Sequence, residues 1–187
     1  MANKFEGGIW PADDFDSIQI REVYSRYGLA MFMAQVLEHG IVNAAIIMQL
    51  LPTIRSFANE ASWQQAFDKA FESGLSQTYG NMLMSLEKID GFPQLLLDRL
   101  KSAKNDRDIL AHRFFRQNDI AFMSRNGRKH MIEWCEARVD LFQSIANELD
   151  DFVRPISERN GISQSWVDEK LTEMLRDAEK WTPSDDL

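Results

Sequence analysis

Between Tyr24 and Met48 the apolar residues Tyr24, Tyr27, Met31, Ala34, Leu37, Ile41, Ala45 and Met48 recur at three- and four-residue steps. No other feature of the chain constrains its fold as much. A helix turns about once every 3.6 residues, so this spacing lines one face with hydrocarbon and predicts a single long helix from about Ile20 to Leu51, closed by Pro52. The most apolar part, Leu29 to Leu51, raises the question of a membrane span. Gln35, Glu38, His39, Asn43 and Gln49 interrupt it, and charged and amide groups at that density are costly in hydrocarbon. The expectation is a buried helix with no membrane partner.

The same periodicity continues down the chain, with no alternating strand pattern and no internal repeat, so the expected class is all-α. Ser62 is expected to cap a second helix, Trp63 to about Glu72, closed by Ser73-Gly74. Thr78 is expected to cap a short extra helix through Asn81 to Lys88, with Met82, Leu83 and Leu86 inward, before Asp90-Gly91 breaks the chain. A third main helix begins near Pro93 and runs to about Phe115 or Arg116. After a loop at 117–127, a fourth runs to about Val153, where Phe142, Ile145, Leu149 and Phe152 keep three-four spacing and Pro155 stops or kinks it. Asn160-Gly161 reads as a turn, Ser163 or Ser165 as the cap of a last helix to about Lys180, and WTPSDDL as a loose tail. The predicted architecture is an antiparallel, up-and-down bundle of four principal helices with a short extra helix and an appended C-terminal helix. Residues 1–19 form an irregular arm, 20–155 the bundle, and 156–187 a helix and tail packing on it.

At 187 residues the chain buries one core rather than two. One cysteine, Cys135, excludes an intrachain disulfide and any zinc site of paired cysteines. The start MANKFEGGIWPADDFD lacks the basic and apolar regions of a secretory signal, so a cytoplasmic setting is expected. Neither His39 nor His130 has a carboxylate or second histidine at ligand spacing, and the Gly-rich phosphate loop, GxSxG and HExxH are all missing. No metal and no cofactor are expected. The net charge of -8 argues against a nucleic-acid partner, yet it hides an asymmetry: Arg99 to His130 holds nine basic residues against three acids. Such a zone either attracts a phosphate backbone or is a solvated charged face.

Within that zone the stretch NDRDILAHRFF, Asn105 to Phe115, sets charges against an apolar run. Leu96, Leu100, Ala103, Leu110 and Phe114 form a helical stripe with Arg107 in its gap. A guanidinium in line with a core seam requires a carboxylate, carbonyls or a phosphate, and a structural ion pair is the plainer reading. His112 stands four residues after Asp108 on the same face, where the carboxylate could hold one imidazole tautomer, although a solvated His and Asp fit the spacing equally. Arg107 and His112 are five apart, a rotation of roughly 140°. They share a substrate only if the helix loosens near His112, the arginine reaches round, or a second copy brings its helix across a two-fold axis.

The run RDILAH followed by Phe114 resembles the R-x4-6-H signature of HEPN-domain proteins: an arginine, a polar residue, an apolar pair, a histidine and an aromatic near the end of a helix. A second match, RNGRKH from Arg125 to His130, contains a glycine and lacks the apolar pair and the aromatic. The resemblance is specific over about residues 92–116 and architectural over 20–155. It implies a helical homodimer, and for many members a metal-independent endoribonuclease of toxin-antitoxin or defence type, with RNA as substrate and an antitoxin as protein partner. Carried onto this chain, it makes Arg107 the phosphate-binding group, His112 a general acid or base and Asp108 their polar support. Lys104, Arg113, Arg116, Arg125, Arg128 and Lys129 become candidate RNA contacts. Asp108 places a carboxylate where many active members have Asn or His. The alternative is a non-catalytic HEPN-like interaction or regulatory module in which these charges are structural.

Overall fold

The computed structural model describes residues 14–180, and the helical class holds: among them there are helices and turns and no strand. We label the helices α1 (Phe15–Gln49), α2 (Glu60–Leu75), α3 (Tyr79–Glu87), α4 (Gln94–His112), α5 (Phe114–Gln117), α6 (Asp119–Phe122), α7 (Arg125–Arg159) and α8 (Gln164–Ala178). A short 3-10 turn, Leu51–Ser56, follows α1. Residues 1–13 of the expected arm and the tail from Trp181 lie outside the described residues.

α1 starts five residues earlier than the apolar pattern indicates. Asp14 caps it, accepting from the Ser17 backbone N–H at 3.0 Å and the Ser17 hydroxyl at 2.7 Å, while Phe15 and Ile18 remain exposed and so carry no core signal. The buried side contains the centre of the expected stripe and extends beyond it, with Tyr27, Met31 and Ala45 packed partly buried against the core. Val23, Ala30, Ala34, Leu37, Ile41 and Ala44 are buried, with Met33, Val42 and Ile46 beside them, whereas Tyr24 is exposed. α1 packs against α7, α2, α3 and α4, so it buries more than one stripe. By length and composition alone α1 is apolar enough to cross a membrane.

Pairings across the core set its topology. Arg128 meets Asp16, Arg26 lies 3.2 Å from Glu136, and a Cβ on Gly40 would lie 3.5 Å from Leu149. α1 and α7 therefore run parallel. α4 returns antiparallel to α7, with Phe92 against Phe152, Arg99 paired to Glu148, Asp106 to Arg138 and Phe114 against Trp134. The up-and-down order expected for four principal helices is thus replaced at the centre by two parallel 35-residue helices with α4 between their directions. The core joins Leu37, Ile41, Leu86, Leu100, Leu110, Met131, Phe142, Ile145 and Leu149.

Local chemistry accounts for the remaining differences. Asn59, not Ser62, caps α2: its side chain accepts from the Ser62 N–H at 2.9 Å, while the Ser62 hydroxyl faces the Asn59 N–H at 3.4 Å in a capping box. α2 runs through Ser73-Gly74 to Leu75. The expected loop 117–127 contains α6 and the first turn of α7, because Ser124 caps α7 through the Gly127 N–H at 3.1 Å. Gly127 permits this contact, since a Cβ there would lie 2.0 Å from the Ala121 carbonyl oxygen. α7 passes through Pro155 to Arg159, and Pro155 lies on the exposed side where the carbonyl it leaves unpaired meets water. Thr78 caps α3 and Ser163 caps α8, as expected. α8, however, does not pack on the bundle: all its residues are exposed.

Candidate functional site

Arg107 occupies the gap in the buried α4 stripe, and its partner comes from α1. Its Nε donates to Glu38 Oε1 at 2.6 Å and its Nη1 to Asp108 Oδ1 at 3.3 Å. The side chains of Arg107 and Glu38 are 25% and 16% exposed, so the pair is largely removed from water. Asp108 also accepts from Lys104 Nζ at 2.5 Å. Burial alone would pull the Arg107 pKa down, but the Glu38 bond and charge, then Asp108, outweigh it and the net direction is up. Burial likewise works to raise Asp108, yet Lys104 and then Arg107 hold its carboxyl below the usual range. Tyr79, at the start of α3, is buried against the same cluster, its hydroxyl donating to the Leu100 carbonyl at 3.3 Å. Burial first, then the Glu38 charge, hold that hydroxyl protonated well above the ordinary tyrosine range.

Arg107 and Asp108 are thus brought together and His112 is not. Asp108 spends its oxygens on Lys104 and Arg107; the imidazole four residues on is exposed at the last position of α4. The helix does break there. Arg113, at φ -137 and ψ -11, leaves the α region and separates α4 from α5, ending the helix short of Phe115. The aromatic residues beyond the break anchor it: Phe114 stacks on Tyr27 at 5.3 Å between centroids, and Phe115 packs on Tyr24 at 5.6 Å.

Folding neutralises most of the basic zone. Arg99 pairs with Glu148, Lys101 with Glu87 at 2.9 Å, and Lys129 lies 3.7 Å from Glu133. Arg125 donates to both Asp16 oxygens, at 2.8 and 3.2 Å, and lies over the Phe15 ring. Its hydrogen bond and charge lower the Asp16 pKa. Arg128 is buried and its guanidinium is committed inward, to Gln19 Oε1 at 2.9 Å, the Phe122 carbonyl at 3.0 Å and Asp16 Oδ1 at 2.6 Å. It fastens α6 and α7 to the start of α1. Of the expected RNA contacts, Arg113 and Arg116 are exposed with no acidic partner among the described residues.

Sequence reasoning missed Glu38, Tyr79 and Asp16. Glu38 had a visible signal: a carboxylate interrupting the apolar run of α1, of opposite sign to the arginine interrupting the stripe of α4. Among the described residues no three His, Cys, Asp or Glu side chains are placed to hold a metal ion. No family model, curated protein or solved structure matches the chain.

Proposed function

We propose that the chain is a HEPN-like helical homodimer of the cytoplasm that serves as a protein-interaction or regulatory module, with Arg107 and Asp108 as structural charges. The observation that carries this reading is the Arg107–Glu38 pair. An arginine that stabilises a phosphoryl transition state must offer its charge to the phosphate, whereas the charge of Arg107 is already met by the Glu38 and Asp108 carboxylates. A phosphate arriving there would meet negative charge and would have to displace an ion pair already shielded from water. The partner on this reading is a second copy and a regulated protein, for which an antitoxin is the model.

A second reading, a metal-independent endoribonuclease of toxin-antitoxin or defence type, is favoured by one observation. His112 stands exposed at the break after α4 with Arg113 beside it and Arg116 one turn on, both exposed. In that chemistry the RNA 2'-hydroxyl attacks the adjacent phosphate, the histidine moves a proton, and an arginine stabilises the accumulating charge. Incubating RNA with the pure protein in chelator, beside Arg107→Ala and His112→Ala, separates the two. Equal background in all three is expected; cleavage by the parent that both substitutions abolish would overturn the module reading in favour of the nuclease.

A further inference from the structure

α8 is amphipathic, and among the described residues nothing buries its apolar face. Val167, Leu171, Met174 and Leu175 recur at i, i+4, i+7 and i+8, which gathers them on one face with Trp166 at its edge. Yet all are exposed, Met174 by 68% and Leu175 by 60%. A 15-residue helix is marginal in water unless its apolar face is covered. Its charges are four acids, Asp168, Glu169, Glu173 and Asp177, against two bases, Lys170 and Arg176.

A surface of complementary character lies at the opposite end of the bundle. Ile120 and Met123, on α6 and just after it, are 80% and 82% exposed, close in the chain to Arg113 and Arg116, which have no acidic partner among the described residues. The exposed Phe15 belongs to the same end, since Arg125 lies 4.9 Å from its ring centroid. Exposed apolar side chains, the cations Arg113 and Arg116 and one exposed acid, Asp119, thus face solvent toward the end where α1 and α7 begin.

The chain's own α8 cannot reach it. At 1.5 Å per residue, the 35 residues of α7 separate the two ends by about 50 Å. Residues 160–163 fully extended add at most ~14 Å and α8 itself ~22 Å. What α8 can reach at home is a cleft of about 330 Å³ between α1, α2 and α3, whose polar lining residues Gln49, Ser73, Gln77 and Ser85 are uncharged. That cleft offers no cation to Asp168 and Glu169, whereas Glu173 and Asp177 already pair with Lys170 and Lys180.

The geometry points to α8 docking on a second copy of the chain, its apolar face on Ile120 and Met123 and its acids toward Arg113 and Arg116. Two copies with their α7 helices antiparallel across a two-fold axis exchange α8 symmetrically, each helix covering the other's patch. The inference rests on the homodimer reading and names the surface that makes the dimer. Because the docked helix lies beside His112, any other partner of that surface competes with it.

Sedimentation equilibrium of the full chain tests this, with far-UV circular dichroism to verify helix content. The expected result is a dimer that Leu171→Asp with Leu175→Asp weakens by roughly ten-fold or more, as does Arg113→Glu with Arg116→Glu. A mixture of a Met123→Cys chain and a Leu175→Cys chain should cross-link between chains on mild oxidation. A dimer undiminished by both pairs of substitutions overturns the docking and leaves the homodimer standing; a monomer at about 100 μM overturns both. A Leu175→Cys, Gln77→Cys chain that cross-links within one molecule puts α8 in the cleft and also overturns the docking.

Discussion

Separating Glu38 from Arg107 is the most direct probe of the core. Their contact at 2.6 Å joins side chains that are 16% and 25% exposed, between the limiting cases of a surface pair and a buried one. Unit charges about 4 Å apart attract by roughly 4 kcal/mol at an effective dielectric near 20, and desolvation removes a large part of that. Exposed pairs couple by about 0–1 kcal/mol, whereas removing one member of a fully buried pair costs about 3–5. The expected coupling is therefore about 1–2 kcal/mol. Glu38→Gln alone should cost about 2 kcal/mol, because the neutral amide oxygen can still accept from Arg107 Nε but no longer answers its charge, which leaves the more distant Asp108 to do so. The assay is a double-mutant cycle by urea denaturation on the parent, Glu38→Gln, Arg107→Met and the double substitution. The double variant should be more stable than the sum of the singles implies. A coupling below about 0.5 kcal/mol would show that the pair is solvated like any surface contact and would refute the structural role given to Arg107.

Three further outcomes follow from the packing. Gly127→Ala should destabilise by about 3 kcal/mol in chemical denaturation, since its Cβ meets the Ala121 carbonyl, which only a shift of α6 can relieve; a loss under about 0.5 kcal/mol would sink that account. Cys135 is fully buried, which pushes its thiol up to about 12, so a thiol reagent near neutral pH should label it at the rate of unfolding and not before. The depressed Asp108 carboxyl contributes stability above its unfolded value and loses it as pH falls through the lower folded value. The melting temperature should therefore drop below about pH 4, and by less in Asp108→Asn; parallel pH profiles for the two proteins would contradict this.

Features decided within a few residues were legible in the sequence. Thr78 before Tyr79–Glu87, with Met82, Leu83 and Leu86 inward, and Ser163 before the last helix are local capping and periodicity, and both stand. Where a helix begins on residues outside the core, as at Phe15–Gln19, hydrophobic spacing carried no signal and the cap at Asp14 was the only mark; Asp119–Phe122 has no side-chain cap at all, and Ser124 marks only the start of α7. Pro155 read as a stop or a kink because its cost depends on which side of α7 it faces, a fact that only packing decides. The break at His112 could be read as a condition for a shared site, but not as an outcome. Least legible was the pairing of charges. Arg107 visibly needed a partner, yet Glu38 lies 69 residues away and Asp16 lies 112 from Arg128. Such separations leave no trace in local spacing, and the apparent basic zone dissolved once those acids were in place.

The Asp16–Arg128 tie also fixes when the protein can fold. α7 is the longest partner of α1, and 112 residues separate Asp16 from Arg128. At roughly 5–20 residues per second, synthesis of that interval takes on the order of 6–20 s. For all of it the face of α1 that α7 covers stays open, while α2, α3 and α4 emerge earlier and cover part of the rest.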